Sequence, residues 1–330
     1  MKTKLLMAAA LIMAAACNQK IQTVEEERTG NENDRVTVTV NVRGGASTRA
    51  TGVDEKNEKA VSDIQLFVFD SEGKIDSYAK GTSPTFQVNV STGTRDFVAL
   101  VNCPDLGGKG TKAELMSTVS YLKNNGLNKF EMVGELTGQV ITADAAAPEL
   151  KLTVKRIVSK VVIKKISTAF TSPYLDSQEF KVTGIYLTNA VASNSYALDL
   201  KEFDWVNKNG KDTGDTAKEL TYDTMDQKIT AETPYNVEHA FYCYPNSTET
   251  DSTDEEWTPR YTRLIVETTL GYYSVKIPNI GRNKVYTVSE LVVTRRGSEN
   301  PYEDITTANA TFTITVADWD SEEDLGTVTI

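Results

Sequence analysis

The sequence predicts an all-β chain of sandwich domains. Three observations point there. Short apolar stretches alternate with period two, polar segments rich in Asn, Asp, Thr and Gly separate them, and one stretch alone reads convincingly as a helix. The 330 residues suit two domains of ordinary size or one large all-β domain, and with 39% of them apolar a substantial core can be buried.

The chain opens on "MKTKLLMAAALIMAAAC", a basic start followed by an apolar run that is too short to span a bilayer, which marks residues 1–16 as a secretory signal peptide. The three alanines before Cys17 resemble a bacterial lipobox, where cleavage exposes a cysteine for lipid attachment; the alternative is plain A-x-A cleavage with Cys17 incidental. The mature protein is therefore expected to be exported and, if anchored, anchored by lipid. The net charge of −11 argues against a nucleic-acid partner, whose phosphates need clustered Lys and Arg. Cys103 and Cys243 lie far apart in apolar runs and read as small buried hydrophobes, not as a disulfide framework or metal site.

After a polar acidic tether, "RVTVTVNVR" alternates strictly, with Val36, Val38, Val40 and Val42 on one face and Thr37, Thr39 and Asn41 on the other, which is a half-buried strand. The soft loop "GGASTRATGVDE" follows, with Arg49 at its centre. Next comes a hairpin: Ile64, Leu66 and Val68 alternate against Phe67 and Phe69 ahead of a "DSEGK" turn. "TFQVNV" and "DFVALVN" are short strands, and "KAELMSTVSYLKNNG" is the helix, with Leu115, Val119 and Leu122 sharing a face and Gly126 as its cap. "FEMVGEL" and "LKLTVKRIVSKVVIKKI" return to strands; Lys155, Arg156, Lys160, Lys164 and Lys165 read as a solvated strand face, the alternative being a partner-binding stripe.

A second set of strands begins near residue 168, in "EFKVTGIYLTNA", "AFYCYPN", "TRLIVETTL", "GYYSVKIPNI", "KVYTVSELVVTR" and "TFTITVADW". The final "DLGTVTI" puts Val328 and Ile330 on one face of a strand with no obvious partner. The domain boundaries expected are a signal peptide over 1–16, a propeptide with the first strand over 17–49, and sandwiches over 50–167 and 168–330.

No catalytic constellation emerges. The single histidine, His239, lies in a strand pattern without a nucleophile-elbow sequence. Zinc-type clusters are missing from the sequence, "DSTDEEW" lacks the spacing of a calcium loop, and "DLGGKGTK" fits no phosphate-binding spacing. The chain is expected to be a non-enzyme without cofactor or metal.

In order and spacing, "TRATGVDEKNEKAVSDIQLFVFD", "LKNNGLNKFEMVG", "KRIVSKVVIKKI", "FYCYPN", "GRNKVYTV", "RRGSENP" and "ITVADW" resemble the fimbrillin family, the type V pilus subunits of Bacteroidales-type bacteria. The resemblance implies two transthyretin-like, Greek-key β-sandwich domains with one short helix in the first. It implies an outer-membrane lipoprotein precursor, lipidated at Cys17 and cut by an extracellular arginine-specific protease between Arg49 and Ala50. The strand of Val36, Val38, Val40 and Val42 would leave, and a donor segment around Leu325, Val328 and Ile330 of the next subunit would replace it, with "TFTITVADW" a further candidate for the moving part. Identical subunits, other fimbrial subunits and a host or bacterial surface receptor are the partners implied, in an extracellular fimbria that supports adhesion.

The physics of strands agrees with that division. A sandwich stripped of one strand exposes unpaired backbone groups and an apolar slot, and another chain's strand restores both ladder and core. Such head-to-tail contacts do not close, so a filament results. Among the arginines, Arg28 lies ahead of the strand and Arg35 and Arg43 border it, whereas Arg49 lies beyond it among residues able to extend into a protease cleft. Two other readings stand beside this one: an accessory tip or anchor subunit of the same family, and a surface lipoprotein that binds glycans through Trp205, Trp257 or Trp319.

Overall fold

The computed structural model describes residues 35–44, 58, 60–143, 148–208, 210–212, 218–251, 257–306, 309–319 and 327–328; Cys17, Arg49, Ala50, Leu325 and Ile330 lie outside them. The first eight strands are β1 (Arg35–Gly44), β2 (Ile64–Phe69), β3 (Ile75–Gly81), β4 (Thr85–Ser91), β5 (Gly93–Val101), β6 (Val119–Tyr121), β7 (Met132–Ile141) and β8 (Glu149–Arg156). All but β6 form one sheet in the order β3-β2-β5-β7-β8-β1-β4. That sheet curls on itself, so that Val38, Val40, Phe86, Val88 and Leu152 from β1, β4 and β8 pack against Leu66, Val68, Phe97 and Ala99 from β2 and β5. The β7–β8 closure requires Gly134, because a Cβ there would lie 2.2 Å from the Thr153 carbonyl.

Further along run β9 (Ser159–Ile163), β10 (Ile166–Thr168), β11 (Lys181–Thr188), β12 (Ala190–Val191), β13 (Ser193–Ser195), β14 (Trp205–Val206) and β15 (Tyr222–Lys228). After them come β16 (His239–Cys243), β17 (Thr262–Thr268), β18 (Gly271–Ile277), β19 (Lys284–Val293), β20 (Ala310–Asp318) and β21 (Thr327–Val328). The order β16-β9-β19-β20-β21, with β10 beside β19, makes one sheet, and β15-β11-β17-β18 makes another. Their facing side chains, among them Val161, Ile185, Leu264, Val275 and Leu291, form a second core. The fold is thus the all-β sandwich architecture expected.

β2 is buried along its whole length. Its alternation sends Ile64, Leu66 and Val68 into the first core and Phe67 and Phe69 into the second. The two cores therefore share the β2 layer, and the second core reaches across it without a break.

Three expectations need correction. The helix is only α1 (Lys112–Met116), closed by a capping box in which Thr111 accepts from the Glu114 NH and Glu114 reaches back. Val119 then opens β6, which pairs with β13 (Ser193↔Tyr121), so a distant strand overrides the local helical spacing. The run 150–166, read as strands, forms three of them in two sheets, and the chain changes sheet between Arg156 and Ser159. Ile157 and Val158 are buried at that crossing, so no polar or glycine signal marks it. The basic stripe is not uniformly solvated: Lys155 is exposed, but Arg156 and Lys160 are 3% and 4% exposed. Finally, the closing strand does have a partner, since β21 pairs with β20 through Ile314↔Val328 and Thr315↔Thr327.

Candidate functional site

β1 lies in the interior of its sheet. It runs antiparallel to β4, with Val40 opposite Phe86, and parallel to β8, with Val42 opposite Leu152. Val38, Val40 and Val42 are buried and Val36 half-buried, as the alternation predicts. Each fully buried valine contributes about 1.5–3 kcal/mol of transfer free energy, an upper estimate because the unfolded chain is already partly compact. The opposite face adds polar ties: Asn41 Nδ2 donates to Glu149 Oε1 at 2.7 Å, and Thr85 Oγ1 donates to Asn41 Oδ1 at 2.8 Å.

At the start of β1, Arg35 Nη2 donates to the Asn89 carbonyl at 2.7 Å and lies beside Asp76. The Asp76 carboxylate is almost fully buried and accepts from both the NH and the hydroxyl of Ser91 at 2.9 Å. Burial by itself would raise that carboxyl, but the Ser91 hydrogen bonds and the guanidinium groups of Arg35 and Arg95 outweigh it and hold the group below its ordinary value.

The covalent arrangement is as informative as the packing. The other six strands of the sheet all lie between Ile64 and Arg156, and β1 joins them only through the segment after Gly44. One cut in that segment converts β1 into a non-covalent occupant of its slot. The opposite end of the chain has the reverse character: β21 touches its sheet at the outer edge through two residue pairs.

Between these two features stands a buried polar knot that the sequence did not suggest. Glu58 Oε1 accepts from Lys160 Nζ at 2.7 Å and from the Tyr242 hydroxyl at 2.6 Å, and Glu58 Oε2 accepts from Trp319 Nε1 at 3.3 Å. Arg156 Nη2 donates to the Glu58 carbonyl at 2.9 Å while its guanidinium lies 4.5 Å from the centre of the Trp319 ring. Arg282 donates to the carbonyls of Val133 and Lys155, and Asn283 Oδ1 accepts from the Arg156 NH. Residues from six of the seven stretches that carry the resemblance, all but "RRGSENP", thus meet at the joint between the two sheets.

Other candidates have structural surroundings. His239 is held between Asp223 (Nδ1 to Oδ2, 2.6 Å) and the Tyr235 hydroxyl (2.9 Å from Nε2). Cys103 and Cys243 are free and buried, and burial pushes the Cys243 thiol up to about 12. Trp205 packs edge-on to Trp257 at 5.3 Å, and Trp319 stacks on Tyr242 at 5.7 Å, so these rings are engaged within the fold. Asp251 pairs with Arg263 and Lys276, and no metal-ligating cluster occurs among the described residues.

No curated protein matches the chain. The family model of the major fimbrial subunit protein (FimA) matches residues 35–168. A fimbrilin from Porphyromonas gingivalis superposes with a TM-score of 0.61 at 16% identity, covering 86% of this chain and 97% of that one. A proposed cell adhesion protein from Bacteroides eggerthii gives 0.64 at 14% identity over 88% and 98%. The tip fimbrial protein Mfa3 from P. gingivalis, truncated at its C-terminus, gives 0.54 at 15% identity over 86% and 100%. At such identities the structural likeness speaks for the fold, while the family match covers β1 through β10. Residues 35–168 thus match the model of the major fimbrial subunit family, and the chain as a whole shares the fold of the P. gingivalis fimbrilin.

Proposed function

We propose that this fimbrial subunit forms the stalk of a surface fimbria and polymerises by protease-triggered donor-strand exchange. It is made as a lipoprotein precursor, lipidated at Cys17 and held at the outer membrane. An arginine-specific protease cuts between Arg49 and Ala50, β1 leaves its slot, and the C-terminal segment around Leu325, Val328 and Ile330 of another copy replaces it. Residues 17–49 act as the propeptide, and the sandwiches over 50–167 and 168–330 make up the assembled subunit. In the fibre each subunit touches identical neighbours and other fimbrial subunits, and the fibre supports adhesion.

The observation that carries this reading is the position of β1, an interior strand whose one covalent link to its sheet runs through the Arg49 loop. While β1 stays, it occupies the slot and the precursor remains monomeric. Once it leaves, the facing edges of β8 and β4 and the walls formed by Phe86 and Leu152 stand open. An extended segment of alternating character satisfies both the ladder and the core.

A reversible clamp tests it. Thr39 and Gln87 face each other across β1 and β4, and directly opposed strand positions have the spacing a disulfide needs. The Thr39→Cys/Gln87→Cys precursor, oxidised and then cut, should stay monomeric and should polymerise when reductant is added. Polymerisation of the oxidised, cut protein at the ordinary rate would contradict the reading.

A further inference from the structure

The side of β1 that faces the core carries Val36, Val38, Val40 and Val42, and Gly44, exposed at the end of the strand, comes next on that side. Gly44 lies opposite Val154 of β8. A Cβ built on it would meet nothing within 4 Å, and the residue does not require a left-handed backbone, so no local constraint calls for glycine there. Beside it is a cavity of about 310 Å³, lined mainly by Val42, Val61, Ile64, Val101, Met132 and Val154, with Thr82, Pro84 and Arg156 completing the lining. The slot therefore continues one position past its last valine into a largely apolar hollow that β1 does not fill. At its mouth Val61 is 49% exposed.

We infer that this hollow is a terminal subsite of the strand-exchange slot, kept vacant in the precursor by Gly44 and filled in the fibre by the Ile330 side chain of a second copy. The inference rests on the donor-strand reading above. The occupant follows from register. A donor running in the direction of β1, with Val328 in the place of Val42, puts Ile330 two residues on, where Gly44 stood. A one-residue bulge at Gly326, a residue suited to it, brings Leu325 to the place of Val40. Valine thus replaces valine at position 42, and at position 44 an apolar side chain enters space that glycine leaves unused. An unfilled apolar hollow forfeits contacts and exposes its lining, and an entering isoleucine recovers both. The vacancy makes β1 a weaker occupant than the slot allows, which favours replacement once the loop is cut.

Two variants of the full precursor test this from opposite sides. Gly44→Leu fills the hollow from β1 itself: the uncut precursor should melt about 2–4 °C higher, the new N-terminus after protease treatment should still be Ala50, and polymerisation should slow about tenfold. Ile330→Gly leaves the acceptor slot untouched: melting and cutting should match the wild type, while polymerisation slows about tenfold. If Gly44→Leu fails to fold, Ile330→Gly decides alone. A wild-type polymerisation rate from either folded variant overturns the subsite while leaving strand exchange standing. A cut wild-type protein that forms no polymer at all overturns strand exchange and the subsite with it.

Discussion

Lys160 Nζ and Glu58 Oε1 lie 2.7 Å apart, with both side chains about 95% withdrawn from water. Glu58 is the first described residue after the Arg49 loop, and its carboxylate also receives Tyr242 and Trp319. It therefore ties the start of the described chain after Gly44 to the second sheet and to the end of β20. The proposed cut at Arg49 would leave this anchor in place. Breaking a buried pair by removing one partner typically costs about 3–5 kcal/mol, because the other charge stays buried. Glu58→Ala should lower stability to urea by that amount, and a loss below about 1 kcal/mol would show that the knot holds little.

Asp76 supplies a pH dependence whose sign is fixed by its surroundings. Its carboxyl is held below the ordinary value of 3.8, with burial opposed by Ser91, Arg35 and Arg95. A group depressed in the folded state stabilises fully above its unfolded pKa, and that contribution disappears as pH falls through the lower, folded value. The acid limb of the stability profile, below about pH 4, should therefore flatten in Asp76→Asn. That variant should also lose about 1.5–3 kcal/mol at pH 7, the usual worth of hydrogen bonds to a charged group. An unchanged acid limb, read from chemical unfolding at a series of pH values, would assign the acid sensitivity to other carboxylates.

Deleting residues 325–330 separates accepting from donating. The shortened precursor should be cut normally and remain monomeric. Mixed at a low ratio with wild type it should shorten the fibres, because it accepts a strand and offers none. Fibres of ordinary length from the deletion variant alone, seen by electron microscopy, would place the donor elsewhere.

Period-two patterns report which face of a strand is apolar, and that much was readable. The valines of β1 are buried on the expected side, and the opposed Leu66/Val68 and Phe67/Phe69 faces of β2 enter the two cores. Such patterns do not say which sheet a strand joins. The stretch from Leu150 to Ile166 is apolar on both sides of its crossing, so the passage between sheets after Arg156 left no local mark. Val119 left the helix because Ser195 offered it a strand partner from 76 positions away in sequence, beyond the reach of helical spacing. The Glu58 knot was hidden for a related reason. Lys160 and Arg156 carry the composition of a solvated face, and only the distant Glu58, Tyr242 and Trp319 explain why they are buried. Gly44 looked like part of a soft loop, and the absent side chain acquires meaning only once Val154, Val101 and Met132 surround the space beside it.

The central claim is that cutting at one arginine turns a complete sandwich into one that recruits its neighbour. The most direct measurement incubates purified precursor, alongside an Arg49→Ala variant, with an arginine-specific protease. The new N-terminus is then sequenced and the products are imaged by electron microscopy. The account predicts an N-terminus at Ala50, release of the segment carrying β1 and fibres from the wild type, with a monomer that keeps β1 from the variant. Fibres from Arg49→Ala with β1 still attached, or a wild-type protein cut at Ala50 that never assembles, would contradict it.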